Sequence, residues 1–96
     1  MTNIETIRDK ENGVLFSTKY HWTTRERKCI KLAYSFCKSN AVNSCKVNTF
    51  KFVFNFENGT GYYTSRQENA DARNHMGMFL PDAAGEVKFG FSFASL

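Results

Sequence analysis

Residues 49–65 read TFKFVFNFENGTGYYTS, and the fold turns on them. Phe50, Phe52, Phe54 and Phe56 alternate strictly with Lys51, Val53 and Asn55. Successive side chains of a strand point to opposite faces, so the phenylalanines line one face and the intervening residues the other. Asn58-Gly59 then offers the residue pair favoured in tight hairpin turns. Pairing outward from a two-residue turn sets Phe54 opposite Tyr63 and Phe52 opposite Ser65 on the apolar face. On the other face it sets Asn55 opposite Tyr62, Val53 opposite Thr64 and Lys51 opposite Arg66. A slip of one residue would turn the whole phenylalanine ladder to water.

The same alternation returns near the C-terminal end, where Val87, Phe89, Phe91 and Phe93 are spaced by Lys88, Gly90 and Ser92. Between the two ladders, Ser65 and Glu68 have capping-box spacing, and Ala72, Met76, Phe79 and Leu80 recur at helical intervals before Pro81. A better helix precedes the first ladder. Thr23 and Glu26 make a capping box, and Cys29, Ile30, Ala33, Phe36 and Cys37 form one apolar stripe over 24–39. Ser39-Asn40 and Asn43-Ser44 end it, because their side chains compete for backbone hydrogen bonds. Residues 13–20, GVLFSTKY, read as a strand with Val14 and Phe16 on one face. Residues 1–12 fit a short helix or loose arm slightly better than a strand, IETIRD, that turns at Glu11-Asn12-Gly13 into a hairpin.

The order is β-α-β-β-α-β. It predicts an α+β domain over residues 1–96, with a four-stranded antiparallel sheet carrying one or two helices on one face. The rival is a meander sheet with a single long helix, 66–80 being irregular. A chain of 96 residues has no room for a second core. With 42% hydrophobic and 23% charged residues it falls in the globular range, and 16% aromatics set its character.

No nucleophile–base set, phosphate loop, metalloprotease helix or nucleophile elbow is present, so the sequence reads as a non-enzyme without a cofactor. His75, near Asp71 and Arg73, reads as a solvated helix histidine rather than a general acid or base. His21, Cys29, Cys37 and Cys45 recur at a uniform interval of eight, which invites a zinc reading. On a helix, however, Cys29 and Cys37 stand about 12 Å apart along the axis, too far for a shared ion or a disulfide. No metal is expected. An odd number of cysteines, and an opening MTNIETIRDKENG without an apolar core, point to free thiols in a reducing cytoplasm. No run is long and apolar enough to suggest a membrane partner.

Charge carries the functional expectation. The chain has a net charge of +4; residues 1–48 hold nine basic and four acidic side chains, a net of +5, and residues 49–96 four and five, a net of −1. Arg25, Arg27, Lys28 and Lys31 cluster on the predicted helix, near Tyr20 and Trp22. The outward sheet face offers a second surface through Lys51, Tyr62, Arg66 and Lys88, with Asn55 beside them. Lysines and arginines hold phosphates while aromatics stack on bases, which points to nucleic acid, and RNA more readily than DNA. The plain alternative is that these charges only keep a helix soluble. A different partner also fits. Small inhibitors, immunity proteins and viral accessory factors lack active sites and dock acidic protein surfaces. The expectation is a small binding module, monomeric or a small homo-oligomer, for nucleic acid or an acidic protein surface.

Overall fold

The computed structural model describes residues 4–66 and 86–96. Its elements are β1 (Glu5–Asp9), β2 (Val14–Thr18), α1 (Thr24–Asn40), β3 (Ser44–Val47), β4 (Phe50–Asn55), β5 (Thr60–Arg66) and β6 (Glu86–Ser95). The strands form one antiparallel sheet in the order β1-β2-β6-β5-β4-β3, and α1 packs on one face of it. The α+β class therefore stands, with six strands where four were expected and one helix among the described residues.

Both additional strands are edge strands. Residues 5–9 form β1 rather than a helix or arm, because a hairpin with β2 sets Ile7 opposite Phe16 and buries both. Asp9 closes that hairpin by accepting from the Asn12 backbone N–H and side-chain amide at 3.2 and 2.7 Å. Residues 44–47, of which Ser44 was read above as part of the helix exit and the rest as no element, form β3 against β4. The expected cap at Ser65 is absent, since Ser65 and Arg66 extend β5; the rest of the proposed second helix, His75 included, lies outside the described residues.

The β4–β5 register differs from the sequence reading by two residues: Phe54 faces Gly61, Phe52 faces Tyr63, Val53 faces Tyr62 and Lys51 faces Thr64. Side-chain direction repeats every two residues, so this slip leaves the phenylalanines on the core side. Asn55 decides it. Its Oδ1 accepts from the Glu57 and Asn58 backbone N–H groups at 3.1 and 3.3 Å, and its carbonyl accepts from Gly59 at 2.9 Å. The turn is thus four residues long, 56–59, and Gly59 takes the left-handed φ of 72° that it needs. Phe56 leaves the ladder and is half-buried. Opposite Phe54, only glycine fits at 61. A Cβ there would lie 2.6 Å from the Val53 carbonyl oxygen and 2.7 Å from the Phe91 ring.

Aromatic rings fill the space between sheet and helix. Phe16, Phe50, Phe52, Phe54, Phe89 and Phe91 are buried with Tyr20, Trp22, Tyr34 and Tyr63. Many meet edge to face: Phe16 and Tyr34 at 5.5 Å, Trp22 and Tyr63 at 5.2 Å, Tyr34 and Phe54 at 5.7 Å. That geometry sets the positive ring edge against the negative face of its neighbour. The capping box at Thr23 and Glu26 forms as expected. Glu26 does more: it is buried, and its second carboxylate oxygen accepts the Tyr63 hydroxyl at 2.7 Å. The helix start is thereby hydrogen-bonded to the sheet centre. The buried stripe of α1 runs through Glu26, Cys29, Ile30, Ala33, Tyr34 and Cys37. Phe36, counted above in that stripe, is 51% exposed, because Tyr34 takes the core position and the helix is rotated accordingly. No described helix is long and apolar enough to cross a membrane.

Candidate nucleic-acid interface

The basic residues singled out in the sequence fall on opposite sides of the sheet. On the helix side, Arg25 donates to the Asn48 side chain at 2.6 Å, with its guanidinium 5.6 Å from the Phe50 ring. Arg27 donates to Glu5 Oε1 at 2.8 Å and to the carbonyls of Trp22 and Thr6, both at 3.3 Å. These two arginines brace α1 to the two sides of the sheet. Lys28 is exposed, and Lys31 is half-buried beside the β1–β2 turn. Of the helical set, only the two lysines face outward without a recorded side-chain partner.

Glu5 is the hub of the N-terminal brace. Its carboxylate also takes a 2.8 Å contact from His21 Nδ1 and a 3.3 Å hydrogen bond from the Trp22 backbone N–H. Burial pushes its pKa up, but the hydrogen bonds from His21 and Trp22 and the charges of His21 and Arg27 outweigh burial and hold it below the usual value. His21 is therefore engaged with the carboxylate of Glu5 on β1. Cys37 and Cys45, brought together by α1 and β3, share a hydrogen bond. Burial first, and that bond second, push the Cys37 thiol up to about 12, so it is inert as a nucleophile near neutrality.

The other sheet face carries the second set, and there the residues converge. Lys46 on β3 faces Lys51 on β4, Lys51 faces Thr64 on β5, and Thr64 faces Lys88 on β6. Adjacent strands lie roughly 4.8 Å apart, so this row crosses the sheet over about 14 Å. Lys46, Lys51 and Lys88 are all exposed. One step along the strands lies a second row, Val53, Tyr62 and Gly90. The Lys88 ammonium sits 5.0 Å from the Tyr62 ring centre, a cation–π contact that joins the two rows. A third row holds Asn55, Thr60, Ser92, Ser17 and Thr6. Arg66 stands at the end of β5, opposite Glu86 in the backbone register.

Searches of protein-family models, curated proteins and solved structures return no match. The surface must therefore be read on its own chemistry. Among the described side chains, Arg8, Lys46, Lys51 and Lys88 occupy outward positions of the strands, whereas Glu5 and Asp9 occupy the core-facing register of β1; at the start of β6 the backbone register sets Glu86 two residues from Lys88. Lys46 and Arg8 were missed in the sequence because each sits on an edge strand that was not expected. The alternation Cys45, Lys46, Val47 was the available signal, too short to stand out beside the phenylalanine ladders.

Proposed function

We propose that this chain is a non-enzymatic binding module whose outward sheet face holds single-stranded nucleic acid, RNA ahead of DNA. The observation that carries the reading is the row of exposed lysines, Lys46, Lys51 and Lys88, across the outward sheet face. Two lysines directly opposite each other in a ladder repel and weaken the sheet, yet Lys46 and Lys51 are such a pair. Local rules that a fold breaks without structural gain tend to mark functional sites. A phosphodiester backbone lying along the row would relieve the repulsion, and Tyr62 lies one step away, where a base attached to that backbone can stack.

The test is fluorescence anisotropy with a labelled single-stranded RNA of mixed sequence at about 50 mM salt, where phosphate contacts are strongest. Three lysine–phosphate contacts on a single strand give a log–log salt slope of about −2, and so a loss of roughly 20-fold between 50 and 200 mM salt. Replacing Lys46, Lys51 and Lys88 together by Gln should remove most of that slope. The same change at Lys28 and Lys31 should leave it in place. Absence of binding by the unmodified protein rejects the reading.

One observation favours the alternative, a protein partner with an acidic surface. Leu32 and Phe36 stand one turn apart on α1, 61% and 51% exposed, near Lys28 and Lys31. An apolar centre with a basic rim suits such a surface. A single protein captured stoichiometrically, and lost when Leu32 and Phe36 are replaced by Ser, would establish this reading in place of the first.

A further inference from the structure

Gly90 occupies the middle of β6, the longest strand, where glycine weakens a sheet by adding backbone entropy and removing a side chain. The fold does not call for it. Its φ is not left-handed, and a Cβ built there would meet only the Gly61 carbonyl oxygen, at 3.8 Å, an ordinary contact. Gly61 and Gly59 differ, since a Cβ there would fall 2.6 Å and 2.7 Å from backbone oxygens. The missing side chain leaves a recess of about 300 Å³ on the outward face, with Ser17, Lys19, Gly90 and Ser92 among its lining and Ile4 at one side. Directly across the ladder from Gly90 is Tyr62.

Glycine within a strand often marks close approach by a ligand. Here the recess is lined by the paired residues Ser17 and Ser92 and by Lys19, while across the ladder from Gly90, outside the lining, stands Tyr62 with the Lys88 ammonium near its ring. Ring, hydroxyls and cations match the three parts of a nucleotide: a flat base that stacks, polar base edges that hydrogen-bond, and a phosphate. We infer that the Gly90 recess is a seat for one unpaired nucleobase, stacked beside Tyr62 while its backbone follows the lysine row. This rests on the nucleic-acid reading above and adds that bases, not phosphates alone, are held. A base locked in a duplex presents only its edge in a groove, so the seat selects single strands.

Gly90→Val tests the seat, since a β-branched side chain is well suited to a strand and would fill the recess. Binding is measured for an eight-residue oligouridylate and for an abasic ribose-phosphate strand of equal length, with circular dichroism to check folding. The unmodified protein should bind the oligouridylate more tightly than the abasic strand by about 5- to 150-fold, the range of one base–aromatic stack. Gly90→Val should erase that difference and leave abasic binding unchanged. If the valine variant does not fold, Gly90→Ala and Tyr62→Leu should each narrow the difference. Equal binding of the two strands by the unmodified protein, or oligouridylate binding that none of the folded variants changes, overturns the base seat but leaves the polyanion surface intact. Failure to bind either strand overturns the nucleic-acid reading itself.

Discussion

Tyr62 and Tyr63 are adjacent in the chain, and removing one hydroxyl from each should have very different effects. Tyr63 is fully buried, and its hydroxyl lies 2.7 Å from Glu26 Oε2, while the Thr23 N–H holds Glu26 Oε1 at 2.8 Å. Tyr63→Phe takes a donor from a buried carboxylate, and a hydrogen bond to a charged group contributes about 1.5–3 kcal/mol. The whole domain has about 5–14 kcal/mol of stability. At roughly 4–8 °C per kcal/mol for a chain of this length, the melting midpoint should fall by about 6–24 °C. Tyr62→Phe, on the outward face, should change stability by less than about 0.5 kcal/mol. Urea unfolding followed by the fluorescence of Trp22, the single tryptophan, reads both variants, since that ring is buried 5.2 Å from Tyr63. Adding Glu26→Gln to Tyr63→Phe should cost less than the sum of the single changes, because the two groups share one interaction. A Tyr63→Phe loss under about 0.5 kcal/mol, or an equal loss from Tyr62→Phe, would refute the link between helix cap and sheet.

Three further outcomes are expected. Gly61→Ala should destabilise by about 1–3 kcal/mol through overpacking, measured by the same urea titration, while Gly90→Ala should be neutral or slightly stabilising. Glu5 has a lowered folded-state pKa, so its contribution is complete above the ordinary carboxylate range, near about 4.3, and disappears as pH falls through the lowered value. Glu5→Gln should therefore flatten the acid limb of a plot of melting temperature against pH, and an unchanged limb would contradict the brace. Native-state alkylation with iodoacetamide at pH 8, followed by peptide mass spectrometry, should modify half-buried Cys45 before the buried Cys29 and Cys37; equal rates at Cys37 and Cys45 would contradict the burial of Cys37.

What was legible in the sequence was whatever a period imposes over several residues. The two phenylalanine ladders and the capped helix are long enough for alternation and the 3.6-residue repeat to stand out. The β1 and β3 strands are five and four residues long and have little apolar content, so they form because a neighbouring strand offers a ladder. The turn at 56–59 was misread for a related reason. Asn58-Gly59 is a local signal, but Asn55 satisfies three backbone N–H groups in the longer turn, and that tertiary bookkeeping cannot be seen in a dipeptide. Helical spacing puts Phe36 in the stripe with Cys29, Ile30, Ala33 and Cys37, but the same period admits a stripe through Tyr34, and Tyr34 is the residue that is buried. Of the candidate interface, Lys51, Tyr62 and Lys88 were found through alternation. Lys46 and Gly90 acquire meaning only from their cross-strand neighbours.

Strand β6 comes after every other element in the chain, yet it lies inside the sheet, between β2 and β5. A ribosome therefore releases two separate sheet fragments before it releases the strand that joins them: the β1–β2 hairpin and the β5-β4-β3 meander. Until then the aromatic flanks of both fragments lack a neighbour, and β4 is the kind of alternating segment that pairs readily with copies of itself. Joining them requires Val14 to find Ser95 and Ser17 to find Ser92, pairings between opposite ends of the chain. Contacts of such long sequence separation close slowly. Completion of the sheet therefore waits for β6. Stalled or prematurely terminated chains would contain most of the aromatic core residues and no completed sheet to bury them, which makes them natural clients for chaperones and proteases.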